Sequence, residues 1–148
     1  MSQAVSLPHT WRPLGVRLAA AGLGVMLTIV VGFAWWSFGP ETRSEFNVFQ
    51  IGTLILLGLL VVSLGYALAR SRVVAETDRL VVVNGYRRRE YDYAAVVQAH
   101  LPPGAPWVTL DLDDGTTVPA MGIQGSDGAR AQSALRELRT VLEAASAR

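Results

Sequence analysis

Two unbroken apolar runs, residues 16–38 and 48–69, dominate the first half of the chain, with a short polar stretch between them. Apart from Arg17 at its very start, neither run carries a charge. At ~1.5 Å of rise per residue, ~20 apolar residues in a helix cross the ~30 Å hydrocarbon layer of a bilayer. The pattern predicts two membrane-crossing helices joined as a hairpin. The first run is longer than the ~7–15 apolar residues of a signal peptide. It ends in Ala34-Trp35-Trp36, not in a small-residue cleavage site. Trp35, Trp36 and Phe38 instead suit the membrane–water interface. Within the first run, small residues recur at every fourth position: Ala20, Gly24, Thr28 and Gly32. Gly58 and Gly65 offer a similar face on the second. Such a stripe lets another helix approach closely. Packing of the two spans on each other is the first expectation, and homo-oligomerisation through the stripe is the alternative.

After Ala69 the pattern shortens to β-type runs: 72–76, 80–83 (rich in β-branched residues), 86–93, 96–101, 107–112 and 116–121. Thr77-Asp78 reads as a turn. Asn84-Gly85 and Asp114-Gly115 each signal a type I′ hairpin. Residues 102–106, with three prolines, force a loop. Pro119 places the last strand at an edge or a bulge. A closing helix follows, with Ser126 as N-cap, Asp127 in its first turn, and an apolar stripe of Leu135, Leu138, Val141, Leu142 and Ala145. Residues 1–13 are polar, carry Pro8 and Pro13, and read as a loose tail, with Trp11 marking the inner interface. Strands and helices do not alternate, which argues against a doubly wound parallel sheet. The expected organisation is a tail (1–13), a transmembrane helical hairpin (14–69), and an α+β domain (70–148) in which a bent antiparallel sheet or barrel is capped by one helix.

Charge sets an orientation. Arg12 and Arg17 flank the first span, Arg70 and Arg72 the second, and the connector holds only Arg43 between Glu41 and Glu45. Short cytoplasmic flanks collect basic residues. Both termini are therefore expected in the cytoplasm and the protein in the plasma membrane. All 13 basic residues are arginine, which with the Ala, Gly and Val richness reads as codon bias. From residue 70 onward ten arginines balance ten acidic residues, which argues against nucleic acid as a partner. The absence of cysteine excludes disulfides, thiolate metal sites and thiol chemistry.

Candidate chemistry is sparse. Asp111 to Thr116 superficially matches an Asp-x-Asp nucleophile or a calcium loop. The spacing of its carboxylates fails the second, no distal Glu follows, and the chain is too short for the first. A hairpin turn accounts for these residues more simply. His9 and His100 are unrelated in sequence and form no metal or acid–base pattern. No catalytic residue, cofactor site or metal site is expected. Arg87, Arg88 and Arg89 are the most suggestive cluster. Strand alternation puts Arg87 and Arg89 on one face and Arg88 on the other. Arg87 and Arg89 are candidates for contact with anionic lipid headgroups, against a solvated strand face that pairs locally with Glu90 and Asp92.

Taken in order, the two spans, Val74-Ala75-Glu76-Thr77-Asp78-Arg79-Leu80, the Arg87-Arg88-Arg89 strand, the link Tyr93-x-x-Val96-Val97, the hairpin at 110–117 and the closing helix at 129–142 resemble a family. It is that of the bacterial pleckstrin-homology (PH) domain membrane proteins of the low-molecular-weight protein antigen 6 type. Tyr93 stands where members usually carry Trp. The resemblance implies a PH-like barrel or sandwich with a C-terminal helix and no catalysis, and it supplies no binding residues. The expected function is a membrane-anchored interaction module. It would bind a protein partner, or anionic headgroups, at the inner face. The alternative is a structural subunit of a larger membrane complex assembled through the spans.

Overall fold

The computed structural model describes residues 5–147. The two apolar runs form helices α1 (Leu14–Ser37) and α3 (Val48–Arg70), with a short α2 (Pro40–Glu45) between them. Local chemistry sets these boundaries. Pro40 cannot continue α1 and instead opens α2. Arg43 reaches back, its Nε and Nη2 donating to the carbonyls of Trp35 and Trp36 at 3.1 and 2.8 Å. Two carbonyls at the end of α1 thereby gain donors. Asn47 and Gln50 form a reciprocal capping box at the start of α3, at 2.9 and 3.0 Å. Neither long helix has a buried residue. They approach at Ala20 and Gly65, where a Cβ on Gly65 would sit 3.7 Å from that of Ala20. Of the small-residue stripe, Ala20 stands at that approach. A Cβ on Gly24 or Gly32 would meet nothing within 4 Å.

Among the described residues, seven strands make two antiparallel sheets. The first runs β1 (His9–Trp11), β2 (Arg72–Ala75), β3 (Arg79–Asn84), β4 (Arg87–Asp92). The second runs β5 (Val96–His100), β6 (Trp107–Leu112), β7 (Thr117–Gln124). Helix α4 (Ala129–Ser146) closes over them through Ala131, Leu135, Leu138, Val141 and Leu142. The six strands expected from the short β-type runs and the closing helix are all present. The two sheets meet where β7 crosses β2 and β3, and they do not close into a barrel.

Strand β1 corrects the reading of residues 1–13 as a loose tail at His9–Trp11, while residues 1–4 lie outside the described residues. His9, Thr10 and Trp11 pair antiparallel with Ala75, Val74 and Val73. Trp11 is buried in the domain core, and its Nε1 donates to Glu137 Oε2 of α4 at 2.9 Å. It is a core residue, not an interfacial marker. The apolar hairpin is therefore an insertion between two paired strands of one domain.

The local turns also differ from expectation. The β3–β4 loop is Gly85-Tyr86, one residue beyond Asn84-Gly85, with Gly85 alone at positive φ (+59°). Glycine at the first central position is the type II′ arrangement, and it leaves Asn84 paired with Arg87 in the ladder. The β6–β7 loop takes positive φ only at Gly115, and Gly115 N donates to Leu112 O at 3.0 Å. That is a type I turn followed by a left-handed glycine, not type I′. Ser126 does not cap α4. Ser126 and Asp127 lie in a 3-10 turn, and Gly128 precedes the helix. Pro119 lies on β7, an edge strand, as expected.

Candidate functional site

Asp127 caps a different helix from the one its sequence position suggests. Its carboxylate accepts from Leu14 N at 3.0 Å and from Gly15 N at 2.8 Å, the first backbone donors of α1. Pro13 offers no side-chain cap, so this carboxylate from the turn before α4 satisfies those donors. A Cβ at Gly15 would lie 2.7 Å from Asp127 Oδ1, so the absence of a side chain there admits the carboxylate. The far end of the hairpin is gripped too. Tyr86, at the tip of the β3–β4 loop, has its hydroxyl 2.8 Å from Ser63 Oγ and 2.9 Å from Ser63 O, well up α3. Arg70 lies over the rings of Tyr66 and Tyr86 at 5.7 and 5.6 Å. Ser71 accepts from Gly85 N at 2.9 Å. The hairpin and the domain are thus joined by specific contacts at both helices.

Beside this junction, between β4 and β7, the unclosed seam leaves a cavity of about 430 Å³. Its walls include Ala67 and Leu68 from the last turns of α3, and Arg87, Arg89 and Tyr91 from β4. Val118, Pro119 and Met121 of β7 form the other side. Asn84, the last residue of β3, clasps β7 at one end of the cavity: its Nδ2 donates to Pro119 O at 2.6 Å and its Oδ1 accepts from Met121 N at 2.9 Å. Arg87 and Arg89 therefore share a face, as alternation required, and they share a cavity that alternation could not foresee.

The arginines divide according to partners. Glu90 takes Arg88 at 2.7 Å and Arg79 at 2.8 Å. Arg79 also meets Asp78 at 3.0 Å and Glu76 at 3.5 Å. The hydrogen bond from Arg79, and secondarily the charge of Arg88, hold the Glu90 carboxyl below its ordinary value. The Asp78 carboxyl is held low by the same guanidinium. So local pairing does occur on this strand, but on the Arg88 side. Among the described residues, Arg87 and Arg89 have no ion pair with Glu90, Asp92 or any other carboxylate. Tyr91, on the same wall, has a hydroxyl shielded from solvent and without a hydrogen-bond partner among those residues.

Because Glu90 and Asp78 have lowered values when folded, their contribution to stability is complete above the ordinary carboxyl range, near 4.5 for Glu90. It is lost as the pH falls through the folded-state values. Both groups are solvent-exposed, so the effect is small. Acid unfolding of the Arg79→Ala variant, followed by circular dichroism, is expected to begin at the same pH as wild type or slightly above it, with a shallower limb below 4.5. An unchanged limb would show that this cluster does not couple to folding.

The remaining polar candidates are structural. Asp114 Oδ1 accepts from Thr116 N at 2.8 Å and from Thr116 Oγ1 at 2.7 Å, which holds the hairpin turn and lowers its own carboxyl. His100 Nδ1 lies 3.2 Å from Asp111 Oδ2 across β5 and β6, and His9 lies 3.6 Å from Glu137. Among the described residues no group of three or more His, Asp or Glu side chains could hold a metal ion.

Comparison with known proteins agrees with this architecture. Residues 70–140 match the model of the bacterial PH domain. An uncharacterized protein of Mycobacterium bovis and two of Mycobacterium tuberculosis are each 32% identical over 138 residues, covering 91% of this chain and 85% of the relative. That span is too long to be confined to the domain, so the likeness extends into the hairpin. No solved structure matches the chain. PH domains are in general non-catalytic modules that bind proteins or lipids. With two sheets, a closing helix and the matched segment in agreement, this chain belongs to the bacterial PH domain family.

Proposed function

We propose that this protein is a two-pass membrane protein that displays a PH-type recognition module on the cytoplasmic face of the plasma membrane, without catalysis. One observation carries the reading: the hairpin is inserted between paired strands and gripped by Asp127 and Tyr86. A domain so joined is held in one orientation, with its β3–β4 end and seam cavity turned toward the bilayer. Pairing of β1 with β2 requires both ends of the hairpin on the same side of the membrane. The large side chains of α1 and α3 support burial in lipid, since Phe33, Leu59 and Val62 are 72%, 62% and 66% exposed. A core helix of a soluble protein would bury such residues. The charge asymmetry supports the cytoplasmic side, because the connector's one cation, Arg43, is committed to the carbonyls that end α1. Anchoring raises the effective concentration of the module at the surface, so its intrinsic affinity for a partner can be modest.

Cysteine labelling tests the orientation, and the cysteine-free sequence gives a clean background. Ser44→Cys is expected to react with an impermeant maleimide added to intact cells, and Thr109→Cys only after permeabilisation. Labelling of Thr109→Cys from outside would overturn the reading. The structural-subunit alternative draws on the free stripe at Gly24 and Gly32. Under the module reading, Gly24→Leu with Gly32→Leu leaves partner crosslinking at the domain intact. Loss of all association in that variant, with the domain dispensable, would favour the subunit.

A further inference from the structure

We infer that the free edge of β4 takes up an extended acidic segment of a partner protein as an added antiparallel strand, with alternate carboxylates of the guest meeting Arg87 and Arg89. The inference rests on the recognition-module reading and names the edge and the partner chemistry that serve it. Native sheets blunt their edges, because a row of unpaired N–H and C=O groups is a template for another chain. Three edges are blunted here. β1 is three residues long and stands between Pro8 and Pro13. β7 carries Pro119, and Asn84 occupies its Pro119 O and Met121 N. β5 is bulged between Val96 and Gln98, and its Ala99 O accepts from Arg139 Nε at 2.8 Å. β4 has none of these devices. It pairs with β3 over six residues in unbroken register, without proline, and among the described residues no other element packs along it. Its one protection is charge, and charge admits a complementary strand.

The closing pair of a two-residue hairpin exchanges both of its hydrogen bonds, and bonding then alternates along the ladder. That pair is Asn84 with Arg87, so the N–H and C=O groups of Arg88 and Glu90 point outward. A guest strand supplies the matching acceptors and donors. Guest residues opposite Arg88 and Glu90 share their solvent face, where those two side chains already pair at 2.7 Å. The guest residues between and beside them turn toward the seam cavity and meet Arg87 and Arg89, which have no carboxylate partner among the described residues. No acidic side chain among those residues lines the cavity, so guest carboxylates find two guanidinium forks and no opposing charge. An apolar or basic strand would cover the same two arginines unpaired. A second copy of this chain is a poorer occupant. Paired with itself, β4 would set Arg87 against Asp92 and Arg89 against Glu90, so charge alone permits it. The dyad between antiparallel edges, however, stands normal to the sheet. Gly85 lies against Ala67 and Tyr86 against Ser63, so α3 runs along the strands and not across the sheet. Such a dyad would point the two hairpins in opposite directions, which one membrane does not allow.

Fluorescence anisotropy of a labelled peptide, Thr-Glu-Val-Glu-Val-Glu-Thr, titrated with the full chain in neutral detergent tests this. Binding is expected to saturate at one peptide per chain. The same peptide with Lys in place of Glu should bind about tenfold more weakly or worse, and so should the acidic peptide N-methylated at both Val residues. Arg87→Ala with Arg89→Ala should weaken the acidic peptide by a similar factor. Arg88→Ala, which removes the guanidinium paired with Glu90, should stay within about twofold of wild type. Thermal melts of the same variants establish that they remain folded. Absence of binding, equal affinity for the Lys peptide, or no effect of the double variant overturns the inference. Equal affinity for the N-methylated peptide overturns it too, because the arginines would then hold an anion without any added strand. A chain dimer that the peptide dissociates would assign the edge to a second copy, which also overturns it. If the peptide test fails while the Ser44 and Thr109 labelling pattern holds, only the docking assignment falls. If the labelling is reversed, the anchored-module reading falls as well.

Discussion

Trp11→Ala should lower the melting temperature of the full chain in detergent by about 15 °C, although two apolar helices separate Trp11 in sequence from Val73, its strand partner, and Glu137, its hydrogen-bond partner. The residue is 6% exposed, packs in the core between β2 and α4, and donates its indole N–H to Glu137. Truncating a buried tryptophan leaves a cavity and removes its transfer energy, which together cost about 3–5 kcal/mol. For a domain of this size each kcal/mol shifts the midpoint by about 4–8 °C. Trp11→Phe separates the two contributions. It keeps most of the bulk, loses the hydrogen bond to Glu137, and should cost about a third as much. A Trp11→Ala midpoint within a degree or two of wild type would show that the N-terminal segment does not belong to the fold.

Gly122→Ala should be comparably destructive, for a different reason. Gly122 is where β7 crosses the start of β2. A Cβ there would lie 2.5 Å from Arg72 C and 2.6 Å from Arg72 Cα, with Val73 N also in the way. All three obstacles are backbone. Arg72 follows the buried C-cap Ser71 of α3, and Val73 is fully buried, so neither side can retreat. One methyl group must then force the two sheets apart. Overpacking at a rigid site costs about 1–3 kcal/mol, and more where backbone must move. The variant should melt well below wild type. It should also lose the Asn84 clasp on Pro119 and Met121, and with it the shape of the seam cavity. Gly58→Ala is the matched control. Its added methyl group meets nothing within 4 Å, so the domain transition should not move. Equal behaviour of the two variants would refute the close crossing of the sheets.

The residues that were legible in sequence are those whose signal is local. Short β-type runs between Gly, Pro and Asp-rich breaks located six strands, and the spacing from Leu135 to Leu142 located α4. Long apolar runs located the hairpin within one to two residues at each end. What escaped depended on partners distant in the chain. Strand β1 is three residues long and stands between Pro8 and Pro13, so alone it reads as loop. Only its pairing with Val73 to Ala75, beyond the entire hairpin, makes it a strand. Trp11 next to Arg12 carried a signal, but an interfacial tryptophan gives the same one. Asp127 looked like a helix-start residue and is one, for α1.

The candidate site divides along the same line. Alternation separated Arg87 and Arg89 from Arg88 without any structure. Their freedom was not legible, because it depends on Arg79 and Arg88 claiming Glu90 across two strands. Nor was the cavity, which exists because β4 and β7 fail to pair. The unpartnered Tyr91 hydroxyl was missed for the same reason: a tyrosine in a strand is ordinary until its surroundings are known.

One measurement bears most directly on the claim that a single domain closes around its own membrane anchor. Thr10→Cys with Val74→Cys places two thiols on register partners of β1 and β2 in a protein that otherwise has none. Facing residues of antiparallel strands have Cα atoms about 4.5–5.5 Å apart, within reach of a disulfide. Mild oxidation of native membranes should join them within one chain, and peptide mapping should recover a fragment that links the two sides of the hairpin. Failure to crosslink under conditions that join a Val81→Cys, Glu90→Cys control pair would contradict the inserted-hairpin architecture.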